Sequence, residues 1–346
     1  FNAIGNPTFE VDQPNAGVML TSPINAAKLV DRWGINKVGT MIVNSQQLPG
    51  FVALPGTSFY ITRCWVRLFL TGQQAALGST DYLALYQYVE GPQFRELFGD
   101  VHSFQVLVRS SVAPLKFGIS FSDSPTTTSL TKLATIPVAN TWVLLSFPNL
   151  PVFPGGGNFT TGPGTGGQIL HLTLAAGAGL ISTNDAWVSG TVNGAAGQDN
   201  WCSKPVNSTF DFAFAQWEPG QYCTTLIDKP FELNLRECRR YYDKNYPYSV
   251  KPGSPGQPWP GGVGSAAIVS VNYAMGGPSF AMAKPPTMFS WYNDGTPNAV
   301  YQPGGVALQG VTGWQVSERG VALVYITPNF TYNYPVVYYY IADTGW

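Results

Sequence analysis

Apolar side chains recur at every second position through several stretches of the first 230 residues. Leu115, Phe117, Ile119 and Phe121 alternate with Lys116, Gly118 and Ser120. Leu170, Leu172 and Leu174 alternate with His171 and Thr173. Phe210, Phe212 and Phe214 alternate with Asp211, Ala213 and Ala215. A longer run over 59–70 puts Tyr60, Thr62, Cys64, Val66, Leu68 and Leu70 on one face and Arg63, Trp65 and Arg67 on the other. A period of two fits a pleated strand with one buried face and does not fit a helix. Strand-like runs also cover 82–89, 104–109 and 141–147. Many such strands, parted by Gly, Pro, Ser, Thr and Asn and with no helix between them, predict an all-β, jelly-roll β-sandwich.

Organisation changes toward the C-terminus. Residues 1–37 read as irregular, because Pro7, Pro14 and Pro23 interrupt regular structure, with a short first strand at Asn6 to Glu10. The sandwich is expected to fill 1–231. One short connecting helix follows: Asp228 suits its N-cap and Pro230 its first turn. Over 232–244, Leu235, Cys238 and Tyr242 then form an apolar stripe, opposite Arg236, Arg239 and Arg240. The helix and a Pro/Gly-rich linker take up 232–263. A smaller C-terminal β domain is expected at 264–346, with strands at 266–273, 279–283, 287–292, 298–302, 312–317, 321–327 and 335–342. The last contains Tyr338, Tyr339 and Tyr340, which place rings on both faces as an interface does.

Charge narrows the function. Only 11% of residues are charged, against a usual figure of about 25%. Net charge is −1, and the densest basic cluster is Arg236, Arg239 and Arg240. That is too little positive field for nucleic-acid binding. No signal peptide is visible and no 18-residue apolar run could cross a bilayer, so membrane insertion is not expected. Cys64, Cys202, Cys223 and Cys238 lack metal-ligand spacing. They read as buried thiols, with a Cys202–Cys223 disulfide as the alternative.

Catalysis finds no constellation. His102 and His171 are the chain's two imidazoles, no nucleophile elbow surrounds a serine, and Glu90, Glu96, Asp100, Glu218 and Asp294 lie in separate segments. No catalytic residue is therefore assigned, and the chain is expected not to be an enzyme. No cofactor is expected beyond a structural calcium, whose oxygen ligands could come from Asn6, Glu10 and Asp211; ordinary turn capping by the same residues is the plainer reading. Sugar binding needs exposed rings beside polar groups. The candidates are Trp291, Tyr292, Asn293 and Asp294, with Trp259 and Trp314 as companions. Packing beneath loops explains the same tryptophans without a ligand.

Three segments carry a resemblance. Phe214-Ala-Gln216-Trp-Glu218-Pro-Gly220, then Thr224 through Leu233, then Cys238-Arg-Arg-Tyr241-Tyr242 together resemble a module of tailed-bacteriophage virion proteins, of the tail-fibre, receptor-binding and head-fibre type. Trp33, the segment Tyr86 to Gly91, Phe104 to Arg109, and Thr141-Trp142 match in order, so the likeness covers roughly 25–245. Trp217 stands where Leu is usual, and Ile227-Asp228 where Phe-Glu is usual. The resemblance implies a carbohydrate-binding-module-like jelly roll in a homotrimeric fibre or tip protein. Such a protein is assembled in the bacterial cytoplasm, located in the virion, bound to other virion proteins, and in contact with host surface polysaccharide. A purely architectural capsid or tail decoration protein, and a glycan-degrading tailspike, are the other readings. The long repeat of a β-helical spike is absent from the sequence.

Overall fold

The structure, a computed structural model, describes residues 1–227, 229–244, 246–252, 254, 264–270, 273–275, 282, 284, 288–293, 296–297, 299–300, 309–317, 319–326 and 336–345. They divide into two compact units. The first holds Phe1–Asp12 and Gly17–Asn234; the second holds Gln13–Ala16 and Leu235–Trp346. Among the described residues no helix is long and apolar enough to cross a membrane.

The first unit is the expected sandwich. Its strands are β1 (Leu20–Thr21), β2 (Ala27–Val30), β3 (Trp33–Val38), β4 (Ile42–Ala53), β5 (Tyr60–Gly72), β6 (Tyr82–Glu90), β7 (His102–Ser110), β8 (Leu115–Asp123), β9 (Thr128–Ile136), β10 (Val143–Leu150), β11 (Gly166–Ala176), β12 (Ile181–Ser182), β13 (Trp187–Ser189), β14 (Gly194–Ala195) and β15 (Thr209–Pro219). One sheet has six strands in the order β1-β4-β5-β15-β7-β10; the other has seven, ordered β13-β9-β8-β11-β6-β3-β2. Every pairing within these two sheets is antiparallel.

Alternation explains which side chains fill the space between the sheets. The leucines at 170, 172 and 174, with Leu115, Phe117, Ile119 and Phe121, point into one continuous core. Rings fasten sheet to sheet: Phe117 meets Phe210 edge-on at 5.2 Å, and Phe121 lies 5.5 Å from Phe104 and 4.8 Å from Trp217. Each such buried aromatic removes enough apolar area from water to stabilise the fold by about 2–3 kcal/mol.

Two departures from strict alternation matter. On β15 the register shifts between Phe212 and Phe214, so that Ala213 and Phe214 together oppose a single step of β7. This bulge reverses the remainder of the strand. Phe210 and Phe212 point inward as expected, but Phe214 joins an outer cluster with Val52, Ile61, Leu107 and Ala213. Ala215 and Trp217, beyond the bulge, enter the core.

The second departure is the N-terminal segment. No strand forms at Asn6 to Glu10, yet nearly all of residues 2–13 are buried. β5 pairs with β15 only from Phe69/Thr209 to Val66/Phe212. Past the bulge the N-terminal segment takes β5's place. The Ala3 N–H donates to the Trp217 carbonyl at 2.8 Å, and the Ala215 N–H to the Pro7 carbonyl at 3.0 Å. Asn2 bonds both ways, donating to the Ala215 carbonyl and accepting from the Trp217 N–H. On the other side, Thr62 Oγ1 donates to the Thr8 carbonyl at 2.9 Å.

The second unit is also built of strands. They are β16 (Tyr242–Lys244), β17 (Gly264–Ser270), β18 (Tyr273–Met275), β19 (Met288–Asn293), β20 (Thr296–Pro297), β21 (Ala299–Val300), β22 (Gln309–Ser317), β23 (Gly320–Ile326) and β24 (Val336–Asp343). β24 pairs with β16, β17 and β19. Most of the expected strand 279–283 lies outside the described residues.

Two helices occur among the described residues, α1 (Gly91–Arg95) and α2 (Phe231–Cys238). The second is shorter than expected. It closes with Arg240 N–H to the Glu237 carbonyl and Tyr241 N–H to the Cys238 carbonyl, a tightened last turn. Tyr242, assigned from sequence to the helical stripe, instead starts β16. Its partner there is Asp343 of β24, and sheet pairing wins over local helix preference. The expected N-cap, Asp228, lies outside the described residues.

Candidate functional site

The outer face of the six-stranded sheet carries a group of half-exposed aromatic and charged side chains. One row crosses it strand by strand: Gln46 on β4, Arg67 on β5, Asp211 on β15 and Arg109 on β7, with Trp142 next to β10. Asp211 is 1% exposed and gathers both arginines. Arg67 donates to it through Nε at 2.7 Å and Nη2 at 2.9 Å. Arg109 donates through Nε at 2.8 Å, with Nη2 at 2.7 Å. The paired carboxylate raises the Arg67 pKa above its ordinary value, against the opposing effect of burial.

The clamp sets the aromatic geometry. The Arg109 guanidinium lies 4.5 Å from the centre of the Trp142 ring and 5.5 Å from that of Trp65. The two indoles meet edge to face at 6.0 Å. Trp65 lies on the backbone of Gly50, where a Cβ would sit 2.7 Å from the indole, and where φ is +150°. A residue with a side chain would lift the ring off the sheet. Beyond this pair, at the β4–β5 hairpin, Phe51, Phe59 and Tyr60 are 67%, 62% and 61% exposed. Phe51 and Tyr60 stand 5.1 Å apart. Rings of this kind, beside guanidinium and amide groups, suit the apolar face and the hydroxyls of a pyranose.

Gln216 and Glu218 shape one end of the same sheet through hydrogen bonds. Glu218 is buried and accepts from the Thr224 N–H at 2.8 Å, from Thr224 Oγ1 at 2.5 Å and from Gln216 Nε2 at 2.9 Å. Gln216 Oε1 accepts from the Ile227 N–H at 2.8 Å, and Gln105 Nε2 donates to the Thr224 carbonyl at 2.7 Å. These bonds fold the turn 221–227 over the sheet there, where Leu226 packs on the Phe214 cluster.

The opposite face, on the seven-stranded sheet, is roofed. His171 points away from the core, as the alternation predicts, but it is 2% exposed rather than solvated. Its β6 partner Tyr86 covers it at a ring distance of 6.3 Å, and Tyr86 in turn lies flat on Gly34. Residues of the 177–200 loop cover the neighbouring β8: Ser120 Oγ donates to the Val192 carbonyl at 2.7 Å. Burial lowers the His171 pKa to about 4. His102 is likewise buried. It accepts from Trp217 Nε1 at 2.9 Å, stacks on Phe153 at 4.5 Å, and has its pKa lowered to about 3 by burial, which a backbone interaction with Pro151 partly opposes. Both rings are neutral packing elements.

The residues singled out from sequence fare unevenly. Trp291, Tyr292 and Asn293 lie on β19 and Trp314 on β22; Trp291 pairs in register with Tyr340 and Tyr292 with Tyr339. Asp294 and Trp259 lie outside the described residues. The calcium trio does not assemble. Asp211 is committed to two arginines; Asn6 Oδ1 accepts from the Val11 N–H and from Asn234, and Asn6 Nδ2 donates to two carbonyls. Glu10 receives the Arg63 N–H at 3.3 Å. Among the described residues no group of three or more His, Cys, Asp or Glu could hold a metal. Of the scattered carboxylates, Asp100 bonds the N–H of Val101, Glu96 pairs on the surface with Arg95, and Glu90 is buried. All four cysteines are free thiols, Cys223 half-buried and the others buried, so Cys202 and Cys223 form no disulfide. Sequence reasoning missed the Trp65–Trp142 face. The signal was present: Arg67, Arg109 and Asp211 occupy outward positions of three strands, and three charges on outward positions imply partners.

The architecture is an all-β jelly-roll sandwich followed by further β-structure. No protein-family model matches the chain, and no curated protein matches it. Among solved structures it is similar to a family 61 carbohydrate-binding module in complex with β-1,4-galactotriose. Identity is 12%, with 63% of this chain and 99% of that one covered, at a TM-score of 0.29. It is similar also to the family 11 carbohydrate-binding module of a Clostridium thermocellum cellulosomal cellulase, at 13% identity, 58% and 95% coverage and a TM-score of 0.29. A third likeness is to the N-terminal family 22 module and catalytic module of a Clostridium thermocellum xylanase, complexed with xylohexaose. Here identity is 12%, coverage 66% of this chain and 30% of that one, and the TM-score 0.31.

Proposed function

We propose that the first unit is a glycan-binding module that grips its ligand on the outer face of the six-stranded sheet and does no chemistry on it. The observation that carries this reading is the Trp65–Trp142 pair, held half-exposed by a guanidinium that Asp211 fixes from below. Pre-set rings lose little side-chain entropy on binding, so stacking contributes to affinity directly. The wider role we propose is that of a tailed-phage fibre or tip protein, homotrimeric and meeting host surface polysaccharide. The segments 214–220 and 238–242 support it through their resemblance to phage virion proteins.

The test is a glycan array probed with the full chain and with Trp142→Ala. Binding to a defined polysaccharide, weakened at least about tenfold in the variant (about 1.4 kcal/mol), is the expected outcome. Wild-type protein that binds no glycan would refute the reading. A second reading, a decoration protein whose task is cohesion, is favoured by the exposed Phe51, Phe59 and Tyr60, rings that suit a subunit contact. It predicts that Phe51→Ser with Tyr60→Ser shifts the oligomer toward monomer in light scattering and leaves any glycan binding unchanged.

A further inference from the structure

The arginine cluster of the second unit is unused by the glycan face. Arg236, Arg239 and Arg240 line a recess of about 490 Å³ together with Glu237 and Asp243. The volume falls within the range of small-molecule sites, roughly 300–1,000 Å³, and exceeds what a single ion fills. Helix geometry explains how the charges meet. Residues three and four apart share a face, so Arg236, Arg239 and Arg240 emerge together at the end of α2. Arg240 is backed by an aromatic ring, its guanidinium 5.6 Å from the centre of Tyr241.

Two carboxylates share the recess with the three guanidiniums. Asp243 accepts from the Tyr340 hydroxyl at 2.8 Å and stands 3.8 Å from Arg239 Nε, a long and loosely aimed pairing. The lining therefore carries a formal charge of +1, three guanidiniums against two carboxylates. The carbonyl end of a helix offsets about half a charge, so a positive remainder faces the recess. Arg239 is 56% exposed there, able to turn toward a ligand. A guanidinium offers parallel N–H donors that match a planar carboxylate, while a neutral sugar gains little from such a cluster.

We propose that this recess binds the carboxylate of an acidic sugar residue, a uronate within a polysaccharide. The choice of a saccharide rests on the glycan reading of the first unit; the anion preference rests on the recess itself. Titration calorimetry on the full chain, with glucuronate oligomers and with neutral glucose oligomers of equal length, tests it. Glucuronate oligomers should bind at least tenfold more tightly, and the difference should shrink as salt rises. Arg236→Gln and Arg239→Gln, both on exposed side chains, should each abolish most of that preference. Arg239→Lys should restore only part of it, because a point charge replaces the fork. Trp142→Ala separates the two sites: loss of neutral-glycan binding alone leaves the recess standing, and loss of the uronate preference alone in the arginine variants leaves the aromatic face standing. Equal affinity for both oligomers in the wild type would overturn the proposal. So would inorganic phosphate that binds as tightly as glucuronate, since the recess would then select charge and not an acidic sugar.

Discussion

Replacing Asp211 by alanine leaves two guanidiniums on a sheet face without the carboxylate that pairs them. The carboxylate is 1% exposed, and Arg67 and Arg109 are 24% and 22% exposed at their side chains. Removing one partner of a fully buried pair costs about 3–5 kcal/mol. Here about a quarter of each arginine already reaches water, so part of the loss is recovered, and about 2–3 kcal/mol is expected. With a urea dependence near the top of the usual range, about 3 kcal/mol per molar, the unfolding midpoint should fall by about 1 M. Tryptophan fluorescence reports the transition, because Trp65 and Trp142 lie on Arg109. The companion variant is Asp211→Leu with Arg67→Met and Arg109→Met. If uncompensated charge is the cause, this apolar triple should regain most of the midpoint. A single variant within about 0.2 M of wild type, or a triple as unstable as the single, refutes the reasoning.

Three further outcomes are expected. The folded-state pKa of His171 lies below its unfolded value, so the unfolded chain binds the extra proton; stability should fall as pH drops from about 6.5 toward 4, and His171→Gln should reduce the slope of stability against pH in that window by up to about 1.4 kcal/mol per unit. Gly34→Ala would set a Cβ 2.5 Å from the Tyr86 ring, which is buried against His171, and thermal unfolding should show a loss of about 1–3 kcal/mol. A thiol reagent should modify Cys223 first in native protein, since Cys223 is half-buried while Cys64 and Cys202 are buried and pushed by that burial up to about 12; mass mapping that finds Cys64 or Cys202 labelled first would count against this packing.

Period two along β8, β11 and residues 66–70 of β5 was enough to read the sandwich and its core, because a side chain's face on a regular strand depends on nothing beyond the strand itself; at the start of β5 it failed, since Tyr60, read as inward, is exposed. It failed at Phe214, where a bulge reverses the faces. A bulge is fixed by the neighbouring strand, and no residue at 212–214 announces it. It failed also at residues 2–13, which look like a proline-broken tail. The strand edge that receives them is β15, more than 200 residues away in sequence. For the aromatic face the same limit applies. Trp65 and Trp142 look like separate loop or strand tryptophans until the sheet order sets β5, β15, β7 and β10 side by side. His171 was placed on the outward face of its strand, but the roof over it and the Phe153 stack on His102, which opens β7, come from loops distant in sequence.

The bond between Ala3 and Trp217 has a kinetic side. Residues 2–7 are made well before they can find their place, since their hydrogen-bonding edge is not complete until the final sandwich strand emerges. Contacts of such long range slow a two-state search and lengthen the interval in which open strand edges can meet other chains.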